Sequence, residues 1–305
     1  MDLKRIIRDY LDYCRYRKEL DPKTLKAYGI DLKQYSGAVR RLEPERREIE
    51  QYLTELHKKY RQKTIKRKTS SLQVFFSYLE EMEYIGENPL KGIRLSFREE
   101  KQLPRIIPRQ VIERLFNELY RALKMASGNE RKMILRDAAV MEVLFATGAR
   151  VTEVSGITLD TIDMDTGIIR ISGKGRKERC VQIGEEKVLK LLREYYESNK
   201  KAIDSGRFFF VNRNGDRFQD YSIRRMIKKY TGKAGILHNI TPHMFWHSLA
   251  TYLIEEDVDI SCVQQILGHS SLKTTEIYLH ISMNKQAEVM KTRHPRKKLQ
   301  IRDDI

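Results

Sequence analysis

The chain has 305 residues, a length that predicts two domains at about 100–200 residues each. Hydrophobic residues make up 40%, charged residues 33%, and the mean hydropathy is -0.59, so composition excludes a membrane-spanning or low-complexity chain. Against 42 Asp and Glu stand 59 Lys and Arg, and the resulting +17 predicts a polyanionic partner, usually nucleic acid. Both parts of the chain share the excess: residues 1–97 hold 22 basic and 15 acidic side chains, and residues 98–305 hold 37 and 27.

The N-terminal part reads as helices joined by short turns. Asp21-Pro22 is a helix start, with Leu25, Tyr28 and Leu32 recurring behind it at helical spacing. A further helix is expected over 64–79, with Ile65, Leu72, Phe75, Phe76 and Leu79 on one stripe and Lys63, Lys66, Arg67 and Ser70 opposite. A basic face behind a buried one suits a helix lying along DNA phosphates, and it equally suits an ordinary solvated face. Asn88-Pro89 is expected to end this run, because proline disfavours helix in the residue before it. Residues 98–106 fall in a stretch without period and read as a linker.

From Pro108 the helical pattern resumes with Val111, Leu115 and Leu119, followed by an apolar helix that ends at Thr147-Gly148. Ile169, Ile171, Val181 and Ile183 then alternate with polar residues around Gly173-Lys174-Gly175-Arg176-Lys177, which predicts a β-hairpin with a basic turn. A third strand is expected at 208–211 before the Asn214-Gly215 turn, and helix again from Tyr221. The three cysteines, Cys14, Cys180 and Cys262, are scattered and form no Cys-x-x-Cys pair, so neither a zinc site nor a disulfide framework is expected. The first residues lack an apolar signal core, and a reducing, cytoplasmic setting follows as the expectation.

Five segments of the second part carry candidate chemistry. They are Ala149-Arg150-Val151-Thr152-Glu153, Gly173-Lys174-Gly175, Thr241-Pro242-His243, Leu267-Gly268-His269-Ser270 and Thr275-Glu276-Ile277-Tyr278. Each alone is unremarkable: an arginine after a helix is usually a salt-bridge partner, and a lysine in a turn is usually solvated. Their order and contexts together resemble the tyrosine recombinases, the phage-integrase and Xer-like family, over nearly the whole chain. That resemblance implies a mainly α protein with a small antiparallel β-sheet and two domains. Residues 1–97 would be the helical, SAM-like core-binding domain, 98–106 the linker, and 107–305 the catalytic domain with a tail helix. It also implies phosphodiester transesterification without metal or cofactor, on a specific double-stranded DNA site held by a tetramer. Tyr278 would attack the phosphate. Arg150 would clamp its charge, Lys174 would protonate the leaving 5′ oxygen, and His243 and His269 would bond the phosphate or handle the nucleophile's proton. Glu153, one helical turn after Arg150, would orient the site from behind the residues that meet the phosphate, and Lys63, Lys66 and Arg67 would contact DNA.

One position departs from the family pattern. Three residues after the first histidine the family carries a second arginine, and here that residue is Trp246, the single tryptophan of the chain. An indole offers one N–H and no charge, so it cannot replace a guanidinium fork on phosphate. The expectation is that DNA binding survives while strand cleavage is greatly weakened. Integration, excision and dimer resolution all fit this reading. A catalytically inactive DNA-binding or synapsis protein on the same fold is the alternative. A type IB topoisomerase shares the chemistry but fits the length and the Leu-Gly-His-Ser segment less well.

Overall fold

The computed structural model describes residues 2–93, 104–172 and 178–268. The chain divides into two compact units, residues 1–101 and 102–305. Among the described residues the architecture is mostly helical with a two-stranded antiparallel sheet.

The first unit is made of helices α1 (Leu3–Tyr16), α2 (Pro22–Ala38), α3 (Arg46–Lys59) and α4 (Gln62–Glu81). Asp21 caps α2 as its sequence suggests, accepting from the Lys23 backbone N–H at 2.8 Å. The stripe on α4 faces inward, with Ile65, Leu72, Phe75, Phe76 and Leu79 all buried against Tyr10, Leu32 and Tyr35. Tyr35 meets the Tyr52 and Phe76 rings nearly edge-on at 5.4 and 5.6 Å, a favoured aromatic geometry. Helix α4 stops at Glu81, earlier than Asn88-Pro89 suggested, because the backbone turns over at Glu83, where φ is +58°. Asn88 instead closes a later turn, its side-chain oxygen accepting from Leu90 N–H at 2.9 Å.

The second unit is built around helix α6 (Gly128–Thr147), packed by α5 (Arg109–Met125), α8 (Glu186–Ser205), α9 (Asp220–Lys233) and α10 (Pro242–Glu255). Ala138, Ala139, Val140, Met141, Val143 and Leu144 are fully buried, which explains why α6 is apolar on several faces. A short helix α7 (Val151–Val154) follows, then strands β1 (Ile168–Ser172) and β2 (Glu178–Gln182), paired with Ile171 opposite Arg179. Helix α11 (Ile260–Leu267) packs on α10 and β2.

The third strand expected at 208–211 does not form; this segment makes only an isolated bridge between Val211 and Arg217. Its backbone needs are met otherwise. Phe209 N–H donates to Ile157 O at 2.8 Å, and the buried Tyr195 hydroxyl takes Val211 N–H and donates to Phe209 O, both at 3.1 Å. A side chain thus stands in for a neighbouring strand. The Asn214-Gly215 turn is present, with Gly215 at φ +84°. Of the expected linker, 98–103 lie outside the described residues. Immediately after it, Ile107 N–H donates to Ser248 at 2.7 Å, which ties the start of the unit to α10.

Candidate active site

The site begins with the way α6 ends. Gly148 adopts the left-handed conformation, φ +58°, and a β-carbon there would sit 2.8 Å from Leu267 and 3.0 Å from Leu249. This close approach of α6 to α10 and α11 fixes the following residues. Arg150 becomes the N-cap residue of α7, with its side chain 38% exposed.

Glu153 holds Arg150 twice. Its buried carboxylate accepts the Arg150 backbone N–H at 2.7 Å and the guanidinium Nη1 at 2.9 Å. A second guanidinium arrives from β2: Arg179 donates to both Glu153 oxygens, at 2.9 and 3.3 Å, and through Nε to the Ile266 carbonyl at 3.2 Å. Burial pushes the Glu153 carboxyl up, but hydrogen bonds from Arg179 and the Arg150 backbone, with the Arg179 charge, outweigh it and leave the group below its ordinary value. Glu153 is therefore a fixed carboxylate between two arginines.

Trp246 is buried on α10 in a cluster with Ala250, Val263 and Leu267. The Arg150 guanidinium carbon lies 6.0 Å from the indole centroid, at the edge of cation–π range. The exposed His243 ring stacks beside the indole at 5.8 Å and 23°, while His247 meets it edge-on at 4.8 Å. Arg150, Glu153, His243 and Trp246 are thus brought together from α7 and α10. Lys174, His269 and Tyr278 lie outside the described residues, as does the expected tail helix. Among the described residues no group of three His, Cys, Asp or Glu side chains is placed to hold a metal ion.

In the first unit, Lys63 and Lys66 are exposed on α4 as expected. Arg67, also expected there, is partly committed elsewhere, pairing with the buried Asp31. Asp31 also accepts from the buried Lys68 ammonium at 2.9 Å and from the Ser71 hydroxyl at 2.9 Å. The residue that sequence reasoning passed over in the site is Arg179. Its signal was available: it shares the inward phase of β2 with Val181, and an arginine in that phase needs a buried counter-charge.

The described residues thus form a helical first unit and a mainly helical second unit with a two-stranded antiparallel sheet, with Arg150 and Glu153 at the turn after the buried helix α6. The phage integrase family model matches residues 108–285, and the phage integrase N-terminal SAM-like domain matches residues 7–82. A tyrosine recombinase of Agathobacter rectalis is 40% identical over 300 residues, covering 97% of this chain and 98% of that protein. Tyrosine recombinase XerC of Thermodesulfovibrio yellowstonii is 32% identical over 298 residues, covering 95% and 96%. The crystal structure of XerH site-specific recombinase bound to palindromic difH substrate, a post-cleavage complex, has the same fold, with a TM-score of 0.74 at 22% identity over 94% of this chain and 83% of that one. The chain belongs to the phage integrase family of tyrosine recombinases. Membership implies site-specific DNA recombination, an enzymatic activity in its relatives.

Proposed function

We propose that this chain binds a specific duplex DNA site as a tyrosine recombinase and that Trp246 greatly slows its strand cleavage. The observation that carries the reading is the indole buried beside Arg150, at the position where the family supplies a second guanidinium. In the reaction the Tyr278 oxygen attacks phosphorus as the bond to the 5′ oxygen breaks. Lys174 gives that oxygen its proton, and His243 or His269 takes the tyrosine proton. The 3′-phosphotyrosine bond stores the energy for rejoining, so no cofactor enters. The transition state carries extra negative charge on its non-bridging oxygens, and Arg150, oriented by Glu153, meets it alone among the family's two arginines. Removing one preorganised donor costs roughly 10²–10³ in rate.

The positive excess in both units suits one duplex. Four protomers would join two sites and exchange strands pairwise in the cytoplasm. A non-catalytic synapsis protein is the second reading, favoured by Trp246 and opposed by the retained Arg150, Lys174, His243, His269 and Tyr278. The test is a nicked duplex carrying a site selected from random DNA. A slow covalent adduct that maps to Tyr278 and is lost in Tyr278→Phe supports the enzyme. Tight binding with no adduct, even in Trp246→Arg, supports the synapsis protein.

A further inference from the structure

Arg179 is a costly residue to bury, with its side chain only 12% exposed, and a strand position beside Val181 and Ile183 would pack well with an aliphatic residue. What it does with its charge is specific. Its fork covers both Glu153 oxygens. Its third donor, Nε, is spent on the Ile266 carbonyl in the last turn of α11. Gly268 then closes over it: with φ at +65°, a β-carbon there would lie 2.8 Å from Arg179 Cδ and 3.0 Å from Nε and Nη1. Arg179 is therefore anchored by α11 and aimed at Glu153.

The consequence falls on Arg150. A carboxylate facing one arginine tends to take it bidentately, fork against fork. Glu153 instead shares its two oxygens with Arg179 and takes Arg150 through Nη1. Nε and Nη2 of Arg150 make no hydrogen bond among the described residues. Those are the donors a phosphate needs. With Arg179 removed, Glu153 is free to swing onto Arg150 and occupy them.

We propose that Arg179 is a positioning residue for strand cleavage, which by engaging Glu153 keeps the outer donors of Arg150 available to the scissile phosphate. The proposal rests on the reading of Arg150 and Tyr278 given above. Its sequence neighbourhood adds to the argument, since Arg179 stands five residues after Lys174 and its anchor Gly268 directly precedes His269.

The experiment is a double-mutant cycle in the full-length Trp246→Arg background, reading single-turnover adduct formation at saturating nicked duplex. Arg179→Gln is expected to slow the reaction roughly 10–100-fold, the range for loss of a residue that orients a catalytic group, with DNA affinity unchanged. Glu153→Gln combined with Arg179→Gln is expected to be no slower than the slower single variant, because both act through one contact. Arg179→Lys, which keeps the charge, is expected to recover part of the rate and guards against a misfolded glutamine variant. An unchanged rate in Arg179→Gln, or a double variant whose loss multiplies the two single losses, overturns the proposal. Should the Trp246→Arg parent itself form no adduct, the functional reading fails, and Trp246 fluorescence in the otherwise unsubstituted chain decides this one separately. Arg179→Gln is then expected to change acrylamide quenching of the single indole, because Arg150 lies over it, and Arg179→Lys to restore it. Unchanged quenching contradicts the proposal.

Discussion

Glu153 shows how one carboxylate is fixed by its surroundings. Its folded-state pKa lies below the ordinary carboxylate value, so its contribution to stability is fully present above the unfolded pKa of about 4.3 and is lost as pH falls through the lower folded value. The thermal midpoint of Glu153→Gln should therefore lie below that of the parent at pH 7, and the gap should narrow in acid. A gap of constant size from neutral to acid would contradict this. Asp31 is the counterpart in the first unit, with Lys68, Arg67 and Ser71 gathered on it. Asp31→Ala strands the buried Lys68 ammonium and should cost about 3 kcal/mol in urea unfolding. Asp31→Leu with Lys68→Met, which removes both charges, should cost less than Asp31→Ala. A larger loss in the double variant would show that the pair is needed for more than mutual compensation.

At the scale of elements, the turn after α6 decides where Arg150 stands. Gly148→Ala puts a methyl group against Leu267 and Leu249 in a left-handed backbone conformation. Overpacking of this kind typically costs about 1–3 kcal/mol. The variant should lower the urea midpoint and weaken Trp246 packing, since the indole lies 3.6 Å from the same point. An unchanged midpoint would mean that α10 and α11 yield without penalty. The Gly148 turn was legible in the sequence as a helix end, and so were α4's buried stripe and the hairpin strands, because periodicity reports which face is covered. Periodicity does not report what satisfies a backbone. The extended run around Phe209 therefore looked like a third strand, while the Tyr195 hydroxyl that serves its N–H and C=O lies on α8. The strand phase marks Arg179 as an inward arginine but not its partner, since Glu153 is 26 residues away and only the fold joins them. Lys68 likewise reads as one more basic residue of α4 until Asp31 is placed beneath it.

For the whole molecule, the proposed binding of a +17 chain to duplex DNA predicts a steep salt dependence, log affinity falling by roughly 0.9 per neutralised phosphate for each tenfold rise in salt. Lys63→Ala should lower that slope by about 1 while leaving sequence preference unchanged. Arg67→Ala should lower it less, because part of its charge is spent on Asp31. Equal effects from the two would contradict the partial commitment of Arg67 to Asp31. Trp246 is expected to leave DNA binding intact and to hold back cleavage alone, an effect on chemistry rather than affinity. Its most direct measurement is the single-turnover rate of covalent adduct formation on a nicked cognate duplex, for the chain and for Trp246→Arg at equal DNA occupancy. Trp246→Arg is expected to gain roughly 10²-fold or more in rate, with dissociation constants that match. Equal rates for the two proteins would show that a second guanidinium is not what this site lacks, and would contradict it.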